Sequence, residues 1–252
     1  MSEKNSKENG RYLYAVIEAT AEKDFGTIGI YGSDVYLVIE GMIAAVVSNV
    51  PNKKIRPQRK NIAAHHAVLN TLMKTVTPLP MAFGIIADGE KAIRKILSDN
   101  RSVFKEQFDI VSGKVEMGMR VSYDVPNIFE YFVSTNRELK EARDRYFGGN
   151  REPSHEAKME LGRMFNQYLN DNREEYTDQV MEILDAYGYE TKENKCRNEQ
   201  EIMNLACLIN KDDQKVFEEC VLKAAGLFDN NFSFEYNGPW SPYNFVNIHI
   251  AL

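Results

Sequence analysis

Lys114-Val115-Glu116-Met117-Gly118-Met119-Arg120-Val121-Ser122-Tyr123 decides how the second half of the chain is read. Val115, Met117, Met119 and Val121 alternate with polar or small residues, the two-residue period of a strand with one face buried. Asp124-Val125-Pro126-Asn127 breaks the strand, and helical spacing takes over from Ile128 to Tyr146, with Glu141 four residues ahead of Arg145 as a favourable surface pair. Gly148-Gly149-Asn150 interrupts, Pro153-Ser154 offers a helix start with Ser154 as cap, and apolar spacing from Leu161 to Tyr187 predicts a long helix ending at Gly188. At 1.5 Å per residue that rod is roughly 45 to 50 Å long. Tyr189 to Asn194 and Ile202 to Ile209 read as a hairpin of strands, Asp212 to Ala225 as an amphipathic helix closed by Gly226, and Phe232, Phe234 and Tyr236 as a last strand. The order strand, helix, strand, strand, helix, strand is the split βαβ, or ferredoxin-like, arrangement.

Upstream of this unit the grammar is looser. Arg11 to Glu18 predicts a strand, Gly26 to Gly32 a loop, and Val35 to Glu40 with Ile43 to Ser48 a hairpin turning at Gly41-Met42. Ile62, Leu69, Leu72 and Met73 mark one face of a helix; Pro78 and Pro80 end its reach, Leu79 to Ile86 is extended, and helical spacing resumes from Asp88 to Phe108. The fold class is therefore α+β with two domains. The expected divisions are a loose tail over 1–10, an N-terminal α+β domain over 11–111, a ferredoxin-like domain over 112–237 and a C-terminal tail over 238–252.

That last tail, Gly238-Pro239-Trp240-Ser241-Pro242-Tyr243-Asn244-Phe245-Val246, holds the only Trp of the chain between two prolines. Proline fixes φ and lacks an N–H, which excludes helix interior and central strand and predicts an extended strip. Trp240, Tyr243 and Phe245 are its anchors. They seal a groove of their own protein, or they contact another subunit, since Trp and Tyr concentrate where binding energy does.

Composition excludes several classes. A chain of 252 residues, 43% hydrophobic and 27% charged, is ordinary globular material. A net charge of -6 argues against general affinity for nucleic acid or anionic membrane, and no apolar run nears the roughly 18 residues that span a bilayer. Met1 to Gly10 has no apolar stretch of a secretion signal, so a cytoplasmic location is expected. Cys196, Cys207 and Cys220 form no C-x-x-C pair and read as reduced structural thiols.

Chemistry-bearing patterns are few. His65 and His66 are neighbours on a helix, about 100° apart, and lack further metal ligands, so core or rim packing is expected of them. Gly26-Thr27-Ile28-Gly29-Ile30-Tyr31-Gly32 has the wrong spacing for a phosphate loop and no Lys-Ser or Lys-Thr after it. Lys53, Lys54, Arg56, Arg59 and Lys60 form the densest basic cluster. Without interleaved aromatics it reads as a solvated loop or a contact for an acidic partner surface. No nucleophile motif and no singled-out carboxylate pair exists; no catalytic residue, cofactor or metal ligand is assigned, and no enzyme is expected.

Arg11-Tyr12-Leu13-Tyr14-Ala15-Val16, Gly41 to Ser48, Arg59 to Leu69, Leu79 to Gly84 and the tail, in that order, resemble the gas vesicle protein F and L family over nearly the whole chain. Ala82, where many members carry Arg, and Ser241, where a second Pro is common, depart from its pattern. The resemblance implies an N-terminal α/β domain followed by a modified ferredoxin-like domain. It also implies a minor structural or assembly protein of gas vesicles that contacts the principal, very hydrophobic shell protein and other minor vesicle proteins. The tail residues Trp240, Tyr243 and Phe245 and the basic loop Lys53 to Lys60 are the candidate contacts. The competing classes are an enzyme on a ferredoxin-like scaffold, which a deep pocket around a buried carboxylate or His65 would favour, and a regulatory module binding a small molecule.

Overall fold

The computed structural model describes residues 10–19, 21–148 and 153–249. By its internal contacts the chain divides into two compact units: Met1–Glu116 together with Pro239–Leu252, and Met117–Gly238.

The first unit is built round one strand, β1 (Gly10–Glu18), in which Tyr12 through Val16 are all fully buried. Such a continuous apolar run belongs in the middle of a sheet, covered on both faces. β1 indeed lies between β3 (Ile43–Val50) on one side and the short β4 (Leu79–Pro80) and β5 (Ile86–Asp88) on the other. β2 (Val35–Glu40) pairs with β3 as the predicted antiparallel hairpin; Glu40 stands opposite Ile43, and Gly41 supplies the positive φ of 69° its turn requires. The stretch expected to be extended from Leu79 to Ile86 makes two brief pairings with β1 instead of one strand, because Pro80 has no N–H to continue a ladder.

Helix α1 (Arg59–Met73) buries Asn61, His65, Val68, Leu69 and Leu72, while Ile62 is exposed. The inward face is thus rotated from the one Ile62 implied: His65, not Ile62, continues the stripe of Leu69 and Leu72. Asp88 to Phe108 becomes two helices, α2 (Gly89–Asp99) and α3 (Arg101–Val111), interrupted at Asn100, whose side chain donates to the carbonyl of Ile96 at 2.9 Å. The predicted N-terminal tail lies outside the described residues except for Gly10, which already belongs to β1.

The second sheet is the ferredoxin-like one. Its strands β6 (Lys114–Tyr123), β7 (Glu190–Glu193), β8 (Glu201–Asn210) and β9 (Phe232–Trp240) lie in the order β7-β8-β6-β9. Helical segments α4 (Ile128–Thr135), α5 (Arg137–Phe147) and α6 (His155–Ala186) join β6 to β7, and α7 (Gln214–Ala225) joins β8 to β9. The predicted helix over 128–146 is two because Asn136 leaves helical φ/ψ and its side chain caps the next helix through the N–H of Leu139. Glu141 pairs with Arg137 at 2.8 Å, one turn before it and not after.

Ser154 caps the 32-residue α6 by accepting from the N–H of Ala157, and at its far end Gly188, at φ 76°, closes it with paired bonds from Gly188 N to Asp185 O and Tyr189 N to Leu184 O. A carboxylate that no sequence pattern singled out, Glu201, is fully buried at the start of β8. It accepts from the backbone N–H of Arg197 at 2.6 Å and pairs with that residue's guanidinium at 2.8 Å, pinning the connection before the strand.

The last strand runs beyond Tyr236 to Trp240, through Pro239. It tolerates proline because β9 is an edge, where a missing N–H can face away from the sheet.

Candidate functional site

The most elaborate constellation of polar groups in the first unit forms where the tail packs back. Buried tyrosine hydroxyls need partners, and the two on β1 find different ones. Tyr14 Oη lies 2.8 Å from Ser48 Oγ and accepts from the backbone N–H of Ile30 at 2.8 Å. This explains the glycine-rich loop: a Cβ on Gly29 would stand 2.7 Å from Tyr14 Oη, so only glycine lets the loop close over that hydroxyl. The loop closes over a tyrosine hydroxyl.

Tyr12 Oη accepts from the N–H of Gly84 at 3.0 Å and lies 2.9 Å from His65 Nδ1. The other ring nitrogen, Nε2, lies 2.6 Å from Tyr243 Oη, which in turn donates to the carbonyl of Met81 at 3.2 Å. One assignment of protons satisfies all of these groups. Tyr243 gives its proton to a carbonyl and so receives one from His65 Nε2, which leaves Nδ1 to accept from Tyr12. The relay runs from Gly84 through Tyr12, His65 and Tyr243 to Met81 with a neutral imidazole at its centre.

Burial, reinforced by the neighbouring His66, lowers the His65 pKa to about 4. Burial likewise raises the Tyr12 and Tyr243 hydroxyls above their ordinary range. A charged His65 would turn Nδ1 into a donor and leave the Tyr12 proton without an acceptor among these groups. Phe83 packs edge-on to both Tyr12 and His65, with ring centroids about 6 Å away.

The tail residues after Tyr243 are held as specifically. Glu116, on β6 and almost buried, takes the backbone N–H of Asn244 on one carboxylate oxygen at 2.8 Å and its side-chain amide on the other at 2.7 Å. Phe245 is 3% exposed, and the N–H of Asn247 donates to Gln107 of α3 at 2.7 Å. Ser241 is also buried, yet its Oγ has no hydrogen-bond partner. Trp240 is different: at the end of β9 it remains 43% exposed.

The basic loop faces outward. Ile55 is buried and Asn61 donates to the carbonyl of Arg56 at 3.0 Å, so the loop is pinned at its centre, while Lys53, Lys54, Arg56, Arg59 and Lys60 are all exposed. Among the described residues none of these five cations takes part in an ion pair.

The sequence profile of the family described as "Gas vesicle synthesis protein GvpL/GvpF" matches residues 10–247. The chain belongs to the gas vesicle protein GvpL/GvpF family. It is 24% identical to gas vesicle protein F of Nostoc sp. over 95% of its own length and 99% of the relative's. With gas vesicle protein L1 of Halobacterium salinarum it shares 22% identity over 97% and 93%. Its fold is that of crystal structures of GvpF from Anabaena sp. (TM-score 0.82, 23% identity, covering 96% of this chain and 100% of that one) and from Microcystis aeruginosa (TM-score 0.77, 22%, covering 95% and 100%).

For this GvpL/GvpF chain the structure gathers Tyr243 and Phe245 into one groove and leaves Trp240 and the basic residues on the surface. The groove's own residues, Tyr12, Met81, Gln107 and Glu116, escape sequence reading. Two signals pointed to them: hydroxyl-bearing Tyr12 within a wholly apolar central strand, and Glu116 between two inward-facing residues, Val115 and Met117. Both ring nitrogens of His65 are engaged within the protein. Among the described residues no group of His, Cys, Asp and Glu could hold a metal ion, and no helix is long and apolar enough to cross a membrane.

Proposed function

We propose that this chain is a minor structural or assembly protein of gas vesicles, working in the cytoplasm at the vesicle and contacting the principal hydrophobic shell protein, with other minor vesicle proteins as further partners. Membership of the GvpL/GvpF family supports the vesicle role. The observation that carries the contact is this division: Lys53, Lys54, Arg56 and Arg59 form a pinned, outward-facing strip without ion pairs among the described residues, and Trp240 stands half-exposed beside a tail whose Tyr243, Asn244 and Phe245 are held internally. A shell subunit exposes apolar surface until it assembles, and such surface aggregates unless something covers or incorporates it. Trp240 offers apolar area, and the strip offers charge to an acidic edge.

Co-purification with the principal shell protein tests this. The wild-type chain is expected to be retained, and retention to drop at least tenfold when Lys53, Lys54, Arg56 and Arg59 are replaced by Ala, or when salt is raised from 50 to 500 mM. Absence of retention by the wild-type chain at low salt overturns the reading.

A further inference from the structure

The groove that receives the tail reads a sequence, not merely an apolar end. Tyr243 is recognised through its hydroxyl by His65 of α1 and by the Met81 carbonyl, Asn244 through both its backbone and its amide by Glu116 of β6, Phe245 by burial, and residue 247 by Gln107 of α3. Three positions of one short segment, 243, 244 and 247, are thus matched by polar groups on separate elements while Phe245 is buried among them, which is how a peptide-binding groove achieves specificity.

The segment itself is self-contained. Its internal bonds, Tyr243 N to Ser241 O at 2.7 Å and Phe245 N to Pro242 O at 3.2 Å, travel with it, and it lies outside any sheet once β9 ends at Trp240. None of the bonds into the groove depends on which chain supplies the segment. At the joint with β9, between Pro239 and Pro242, Ser241 is buried, and its Oγ has no hydrogen-bond partner among the described residues.

We propose that this groove is a recognition site for a Tyr-Asn-Phe segment, filled here by the chain's own residues 243–247 and exchangeable for the same segment of a second copy. Exchange of a terminal element conserves every contact and is a low-cost route to association. The tethered tail competes at an effective concentration on the order of millimolar, so exchange belongs to crowded copies. Such pairing goes beyond the vesicle role and does not rest on shell binding.

The probe is a fluorescent peptide of residues 238–249, titrated into the full chain carrying Tyr243→Ala and Phe245→Ala, whose own tail is undocked. Saturable binding is expected, at least tenfold weaker when the peptide carries Asn244→Asp, which sets a carboxylate against Glu116. Glu116→Gln in the receptor should restore that peptide, because donor and acceptor are then exchanged. A full-chain Asn244→Asp receptor serves as a second undocked form if the double variant loses its cooperative melting. No binding by a cooperatively melting receptor overturns the site, as does equal binding of the Asn244→Asp peptide. Sedimentation of the wild-type chain at concentrations raised to about millimolar then tests the occupant: a dimer that the undocked variant does not form is expected, and its absence despite peptide binding overturns exchange between copies.

Discussion

Two regions of the first unit carry conspicuous residues, and they have been put to opposite uses. In the tail, Tyr243, Asn244 and Phe245 point their distinctive groups into their own protein, where each meets a complementary atom. In the loop, Lys53, Lys54, Arg56 and Arg59 have their backbone fixed by Ile55 and Asn61 while their charges are left in solvent. Groups satisfied inside contribute stability; groups organised by the fold but unsatisfied by it are available to something else. Aromatic content alone does not separate the two cases, because Trp240, two residues from buried Pro242, stays on the outside.

The sharpest way to break this contrast is to remove the tail's apolar anchor. Phe245→Ala empties a fully packed site and is expected to lower stability by about 4 kcal/mol, read from the urea midpoint. Acid tests the relay behind it. His65 has its pKa lowered to about 4 in the fold, against 6.5 ordinarily. The unfolded chain therefore takes up the proton first as pH falls. Stability from this group is intact above about pH 6.5 and declines between 6.5 and 4, by up to roughly 3 kcal/mol. Urea unfolding at pH 7 and pH 4.5 should show the decline, and His65→Gln, less stable throughout, should remove this component of the slope.

Tyr243→Phe keeps the ring but removes the hydroxyl that lies between His65 Nε2 and the Met81 carbonyl, an expected loss of about 1 to 2 kcal/mol in the same assay. Smallest of all is the loop: replacing Lys53, Lys54, Arg56 and Arg59 by Ala should change stability by less than about 0.5 kcal/mol each way, because these side chains make no ion pair among the described residues.

Much of the architecture was legible because two periodicities are well separated in this chain. The alternation of Val115, Met117, Met119 and Val121 and the long spacing from Leu161 to Tyr187 each identify one element, and their order identifies the second sheet. What escaped was set by tertiary context. A strand can run through Pro239 only if it lies at an edge, which no local pattern reveals. Asn100 and Asn136 look like ordinary surface residues in a helical run, yet each bonds locally and splits it. The rotated face of α1 has the same origin: a histidine counts as polar until two tyrosines from distant positions, 12 and 243, complete its hydrogen bonds. A groove for the tail was one of the two expectations, but its lining was invisible for that reason, since Tyr12, His65 and Glu116 are brought to the tail only by folding.

The most direct test of the account measures shell-protein retention and thermal melting side by side in two full-chain variants, one with the four loop cations replaced by Ala and one with Tyr243→Ala. The account predicts a crossed result: the loop variant melts like wild type and loses retention, whereas the Tyr243 variant melts at lower temperature and, below that temperature, is still retained. A loop variant that binds as well as wild type, or a Tyr243 variant that melts unchanged and loses retention, would contradict the assignment of the loop outward and the tail inward.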